Sequence, residues 1–237
     1  MAQILNVIAI DGPAGAGKTT VAHEVAKRLD FFYLETGAMY RAVALIAERR
    51  GLSPTQGEQA AQIASRYNIT LKPEPEKGTR VFINGEEVTD EIRTLKMAEW
   101  ASALSAFTPV RKLLVDRQRE IAKRGKVVLE GRDTTTVVCP EARLKIFLTA
   151  SPETRARRIY LQLQKDTNSP VTYEQVLEET RRRDERDSTR EDSPLKVAPD
   201  AQMIDTDNLT VEQVVQLILE AWRSATRPSP SGNAPGK

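Results

Sequence analysis

Residues 4–10, Ile-Leu-Asn-Val-Ile-Ala-Ile, are almost continuously apolar and run into a glycine-rich turn. A short β-branched run of this kind predicts a strand buried on both faces, as in a parallel sheet. Val21, Ala22, Val25, Ala26 and Leu29 then recur at helical spacing. Strand, loop and helix in this order open a βαβ unit. Val127–Leu129 and Leu144–Leu148 read as further core strands, and helical patterns cover 38–49, 94–105 and 109–124. Ser151 as a cap and Pro152 at the first helical position predict a helix over 152–164. Another helix is expected from Thr172 to Arg190. A late strand, Gln202–Asp205, precedes a last helix from Thr210 to Arg223, capped by Thr210. Strands alternating with helices predict an α/β domain with a mostly parallel sheet.

Residues 68–90 break that rhythm. Ile69 and Leu71 alternate with polar residues, and Val81, Phe82 and Ile83 precede Asn84-Gly85. Asn-Gly beside strand formers is a hairpin signal, so a small antiparallel insert is expected over 64–96. The lesser alternative is a long surface hairpin with no role. The stretch from Arg227 to Lys237, with three Pro, two Ser and two Gly, is too poor in apolar residues to offset its ordering entropy and is expected to be disordered.

Composition narrows the function. The 237 residues carry 35 basic and 33 acidic side chains, a net charge of +2. So small a surplus argues against a polybasic binder of nucleic acid or membranes. The single cysteine, Cys139, forbids an internal disulfide and fits a reducing compartment. The single histidine, His23, forbids a multi-histidine zinc site. There is no run of about 18 apolar residues to span a membrane, and no basic-then-apolar leader. A cytoplasmic monomer is expected. Cys139, before Pro140, reads as an inert thiol, and Met39 and Met97 as packing residues.

The chemistry lies in Gly12-Pro13-Ala14-Gly15-Ala16-Gly17-Lys18-Thr19, which fits G-x-x-x-x-G-K-[ST] between a strand and a helix. Glycines let backbone amides wrap a phosphate, and the helix N-terminus adds its positive end. Lys18 would reach the β- and γ-phosphates and the Thr19 hydroxyl would bind Mg²⁺. Such loops serve GTPase switches, ATPase motors and small-molecule kinases. No guanine-specifying N-K-x-D is present, and few acids stand at strand ends as a motor needs. A kinase remains, and a kinase needs an acceptor pocket.

Arginines point to that pocket. Residues 151–200 hold eight Arg and two Lys against eleven acids, a net −1 that suits no nucleic-acid stripe. Arg offers a planar fork that grips phosphate oxygens in pairs, which Lys does not. Arg183, Arg186, Asp187 and Arg190 share one helical face by spacing; so would a solvated face laced with ion pairs. Arg155, Arg157 and Arg158 carry the same ambiguity. Gly131-Arg132-Asp133 follows the strand Val127–Leu129, at the carboxyl end where α/β proteins bind ligands.

Together, several motifs resemble the bacterial cytidylate kinases, a nucleoside-monophosphate kinase family. They are the loop from Asp11 to Thr20, Thr36-Gly37-Ala38-Met39-Tyr40-Arg41, the insert, Glu91-Ile92-Arg93, Gly131-Arg132-Asp133, Thr136-Val137-Val138, Lys145-Ile146-Phe147-Leu148 and Arg183-Asp184-Glu185-Arg186-Asp187. The likeness runs from about Ile4 to Ala221. It implies a P-loop NTPase-type core of five parallel strands flanked by helices. It also implies a monophosphate-binding domain over about 36–100 that contains the antiparallel insert, and a short helical lid over about 153–190. The kinase domain would span 1–225 and the tail 226–237.

The resemblance further implies ATP as phosphate donor, with Thr20, Arg157 and Arg158 joining the loop around it, and CMP or dCMP as acceptor. Thr36 and Arg41 would hold the acceptor phosphate or its surroundings. Ser102, Arg132 and Asp133 would read the cytosine ring, Asp133 by pairing with the exocyclic amine, and Arg111 would lie on the base or phosphate side. Arg183 and Asp187 would take the ribose hydroxyls and α-phosphate, and Arg190 a phosphate. Lys18, Arg132, Arg158, Arg183 and Arg190 would neutralise the transferring group. The chain departs from the family's usual Asp at Glu35 and Glu130, and from its usual Gly at Thr135. A kinase for another acceptor and a non-catalytic ATP-binding module are the rival readings.

Overall fold

A computed structural model describes residues 4–74, 78–167 and 170–227. Five strands form one parallel sheet: β1 (Leu5–Asp11), β2 (Phe32–Glu35), β6 (Val127–Gly131), β7 (Ala142–Thr149) and β8 (Gln202–Asp205), in the order β2-β6-β1-β7-β8. The chain visits β2 and β6 on one side of β1 and β7 and β8 on the other. The winding therefore reverses at β1, and in such sheets ligands bind at the carboxyl ends beside that reversal.

Alternation along β1 shows why its sequence is apolar throughout. Val7 and Ala9 pack into one core with α2 (Thr36–Arg49), α4 (Leu95–Leu104) and α5 (Thr108–Ala122). Ile8 and Ile10 pack into the other with α1 (Lys18–Leu29) and α8 (Val211–Thr226). A strand covered on both faces has no polar side to show. Asp11, Glu35, Glu130 and Gly131 end their strands at one edge of the sheet, where Glu35 registers with Glu130 and Asp11 with Gly131.

The insert is a three-stranded antiparallel sheet, β3 (Ile69–Glu74), β4 (Gly78–Ile83) and β5 (Glu86–Glu87). Asn84 and Gly85 have φ of 51° and 89° and join β4 to β5. Positive φ at both turn residues is what Asn-Gly supplies at least cost.

Helices α6 (Pro152–Thr167) and α7 (Tyr173–Thr189) pack together at the end of the sheet. The Ser151 hydroxyl accepts from the Thr154 amide at 3.3 Å, the expected cap. Thr172 with Gln175 and Thr210 with Gln213 form capping boxes on α7 and α8, each worth about 1 kcal/mol.

Among strands and α-helices, the sequence pattern misses β2 and α3 (Gly57–Ala64). It also ends the last helix too early: α8 continues to Thr226, so residue 226 is helical and not part of a tail. The tail expected to be disordered otherwise lies outside the described residues, apart from Arg227. Among the described residues no helix is long and apolar enough to cross a membrane. Cys139 is buried and free, and burial pushes its thiol up to about 11. Met39 and Met97 are core residues, as expected.

Candidate active site

The loop between β1 and α1 is shaped from below. A Cβ on Gly12 would lie 2.0 Å from the Leu148 carbonyl oxygen, so only glycine fits against β7 there. Asp11 is fully buried and accepts four hydrogen bonds. These come from the Thr134 amide (2.8 Å) and hydroxyl (2.7 Å) and from the Thr135 amide (2.7 Å) and hydroxyl (2.6 Å). They tie the start of the loop to a π-helical turn, Thr134–Val138. Thr135 is thus used through its hydroxyl, and its departure from the family pattern adds a bond to Asp11. Burial raises the Asp11 pKa against the pull of these donors.

Helix α1 starts at Lys18 with Gly17 as cap, no side-chain cap and no acid in its first turn. An uncapped positive helix end suits an anion. Lys18 is 5% exposed and donates to the Pro13 carbonyl at 2.7 Å. Burial first, and then the charge of Arg132, lower its pKa to about 7.

In front of the loop lies a cleft of about 1260 Å³. Nine Lys and Arg side chains line it against four carboxylates. That surplus of positive charge matches two phosphorylated ligands facing each other. The predicted residues Ala14, Gly15, Ala16, Gly17, Lys18, Thr19, Thr20, Thr36, Arg41, Ser102, Arg111, Arg132, Asp133, Arg158, Arg183, Asp187 and Arg190 all line it. Gly12 and Pro13 lie behind, supporting the loop. Two expectations are corrected. Arg157 is exposed and lies outside the cleft, because its neighbour Arg158 takes the inward helical phase. Arg186 keeps to the solvent flank of its helical face, pairs with Glu179 and does not line the cleft.

At the end of the cleft away from the loop, Arg111 pairs with the Asp133 Oδ2 and donates to the Ser105 carbonyl at 3.0 Å. Arg111 and Asp133 are 2% and 5% exposed, so the pair is held in a low-dielectric pocket. The Ser102 hydroxyl, Arg41 Nε and Arg183 Nε are buried without hydrogen-bond partners. Buried polar atoms are nearly always satisfied in folded proteins; these three lie in the cleft and are open to a polar ligand, while others, such as Thr79 Oγ1 and Gln118 Nε2, lie away from it. Arg132 donates to Asp187 at 2.8 Å. Burial opposes the charge on Arg132, but Asp187 outweighs it and the guanidinium titrates above its ordinary value. Burial and then Arg132 bring Arg183 down to about 10. Four carboxylates cannot balance the arginines, and an incoming phosphate would.

Beyond the loop, Thr206, Leu209, Thr210, Val211 and Val214 face Arg158 and Ile159. Arg158 donates to the Thr206 hydroxyl at 2.9 Å and carbonyl at 2.6 Å. This apolar end escaped the sequence reading, since nothing marks the turn after β8 as a site. Glu130 and Glu35 stand out in the sequence only as departures from the family's usual Asp, with no role assigned. The Thr19 hydroxyl donates to Glu130 at 3.2 Å, and Arg41 pairs with Glu35. Mg²⁺ is usually held by one or two carboxylates together with substrate phosphates and water. Thr19 and Glu130, with Glu35 beside them, fit that donor set. Among the described residues no cluster of three His, Cys, Asp or Glu would hold a metal without the nucleotide. His23 packs edge-on to Tyr33 with ring centroids 5.5 Å apart and lies outside the cleft lining.

The cytidylate kinase family model matches residues 8–224. A cytidylate kinase of Caldanaerobacter subterraneus subsp. tengcongensis is 48% identical over 220 residues, covering 93% of this chain and 96% of that one. One from Solibacter usitatus is 47% identical over 219 residues, covering 92% of each. Among solved structures, an uncharacterised protein from Eubacterium ventriosum superposes with a TM-score of 0.51 at 12% identity, over 94% of this chain and 99% of that chain. That likeness concerns the fold alone. With the loop, the cleft and these relatives in agreement, the chain belongs to the cytidylate kinase family and is an ATP-dependent nucleoside-monophosphate kinase.

Proposed function

We propose that the cleft seats ATP and CMP (or dCMP) head to head and moves the γ-phosphoryl group from the first to the second, giving ADP and CDP (or dCDP). The observation that carries this is the lining itself: a phosphate-binding loop at one end, a buried Arg111–Asp133 pair with Ser102 at the other, and arginines between. The triphosphate lies along residues 14–20 with its base against Leu209, Val211 and Val214. Thr36 and Arg41 hold the acceptor phosphate, Arg183, Asp187 and Arg190 its phosphate and ribose, and Ser102, Arg111 and Asp133 the base.

The attacking atom is an oxygen of the acceptor phosphate. It is anionic at neutral pH, so no general base is required, and rate comes from positioning and charge stabilisation. Lys18, Arg132 and Arg183 face the transferring group; Arg158 reaches it by leaving Thr206. Thr19 and Glu130 would hold Mg²⁺, which would supply charge neutralisation to the phosphates. Asp133 sets the acceptor. Cytosine offers a donor amine where uracil offers an acceptor oxygen, and a carboxylate accepts only from the former.

The test is ADP release from MgATP with CMP, dCMP, UMP, AMP or dTMP as acceptor. Rapid turnover confined to CMP and dCMP is expected. Faster turnover with UMP or dTMP would overturn the base assignment, and no turnover with any acceptor would leave only a nucleotide-binding module.

A further inference from the structure

Arg155 lies outside the cleft lining, yet it ties the phosphate-binding loop to α7. It is 3% exposed on α6. Its Nε donates to the Ala150 carbonyl at 2.9 Å and its Nη1 to the Ala14 carbonyl at 3.2 Å. Its two terminal nitrogens grip Asp184 at 2.9 and 2.6 Å. Paired bonds of this kind fix direction as well as distance. The loop also touches α6 directly: a Cβ on Gly15 would sit 2.9 Å from the Arg155 Cβ and carbonyl oxygen. On α7, Asp184 follows Arg183 and precedes Asp187 by three residues, and Asp187 holds Arg132. One ion pair, buried on the Arg155 side, therefore joins Ala14 and Gly15, at the donor phosphates, to the arginines that face the acceptor. An exposed pair would impose little. Here the Arg155 side chain is 4% exposed and that of Asp184 29%, so the loop and α7 shift together or the pair breaks.

We infer that Arg155 and Asp184 couple the two substrate sites: a triphosphate that settles the loop fixes Arg155, and through Asp184 it fixes α7 with Arg183 and Asp187 placed for CMP. Neither residue lines the cleft, so both are positioning residues. Coupling between binding sites is reciprocal, and CMP tightens ATP by the same factor.

The test is the Kd of CMP by titration calorimetry, with and without a non-hydrolysable ATP analogue and Mg²⁺. It is run on the parent protein, on Asp184→Asn, which keeps shape without charge, and on Arg155→Lys, which keeps charge without the fork. In the parent the analogue is expected to tighten CMP on the order of 5- to 100-fold. In Asp184→Asn the factor falls below about 2-fold, while CMP alone binds within about 3-fold of the parent. Arg155→Lys falls in between. The ratio is measured on folded protein, so a loss of stability does not move it. If Asp184→Asn does not fold, Arg155→Lys and Asp184→Glu are judged by the same ratio. No tightening in the parent, unchanged tightening in the variants, or equal weakening of CMP with and without the analogue would overturn the coupling.

Discussion

Lys18→Met is expected to lower kcat by about 10²–10³, the loss typical when one fixed charge-stabilising donor is removed from a transition state. The side chain keeps most of its length and loses its charge. Its hydrogen bond to the Pro13 carbonyl is local to the loop, so folding should survive, as thermal denaturation would verify. The Lys18 pKa of about 7, set by burial and Arg132, adds a pH signature. A lysine so lowered is mostly the neutral amine above pH 7. Phosphates favour the ammonium, so ATP binding at pH 8 should draw a proton onto this site. At pH 6 Lys18 is already charged and the uptake fades. Calorimetry in buffers of different ionisation enthalpy measures this, and the uptake should vanish in Lys18→Met. Equal uptake in both proteins would remove Lys18 from the phosphate site.

Asp133 carries the second large effect. Asp133→Ala should lower kcat/KM for CMP by about 10²–10³, because a site built around a hydrogen bond discriminates strongly when that bond is lost, whereas KM for ATP should change little. The substitution also strands Arg111, which is 2% exposed, and an unpaired buried charge costs about 3–5 kcal/mol. Asp133→Asn separates the two effects. An amide accepts from cytosine through its oxygen or donates to uracil through its nitrogen, so this variant should narrow the preference for CMP over UMP and stay folded. Steady-state kinetics with both acceptors would show it. A preference left intact in Asp133→Asn would place base recognition elsewhere.

Some of this site is legible in the chain alone because local sequence dictates local backbone. Three glycines and a lysine at fixed spacing after a buried strand leave few conformations, and the loop forms as read. Asn84-Gly85 imposes its turn for the same reason. The missed elements lack such signals. β2 has only four residues and follows a helix closely enough to read as its end. α3 buries Gly57, Ala60, Ala61 and Ala64 and no large side chain, so it leaves no hydrophobic stripe.

Helical spacing places Arg183, Asp187 and Arg190 on one face but cannot say which neighbour turns away. Arg186 finds Glu179, seven residues earlier on the same helix. Arg157 and Arg158 differ by one position, and only packing of α6 decides which of them faces inward. The contacts least legible in the sequence join residues far apart in the chain. Asp11 meets Thr134 and Thr135, and Ala14 meets Arg155; no local pattern encodes either contact.

A crystal structure with CMP and a non-hydrolysable ATP analogue tests the seating of the two nucleotides most directly. It should place the cytosine amine within hydrogen-bond distance of the Asp133 carboxylate. It should also place the CMP phosphate against Arg41 and Arg183, facing a triphosphate on Lys18. CMP found between Arg158 and Val211, or with its base away from Asp133, would contradict that arrangement.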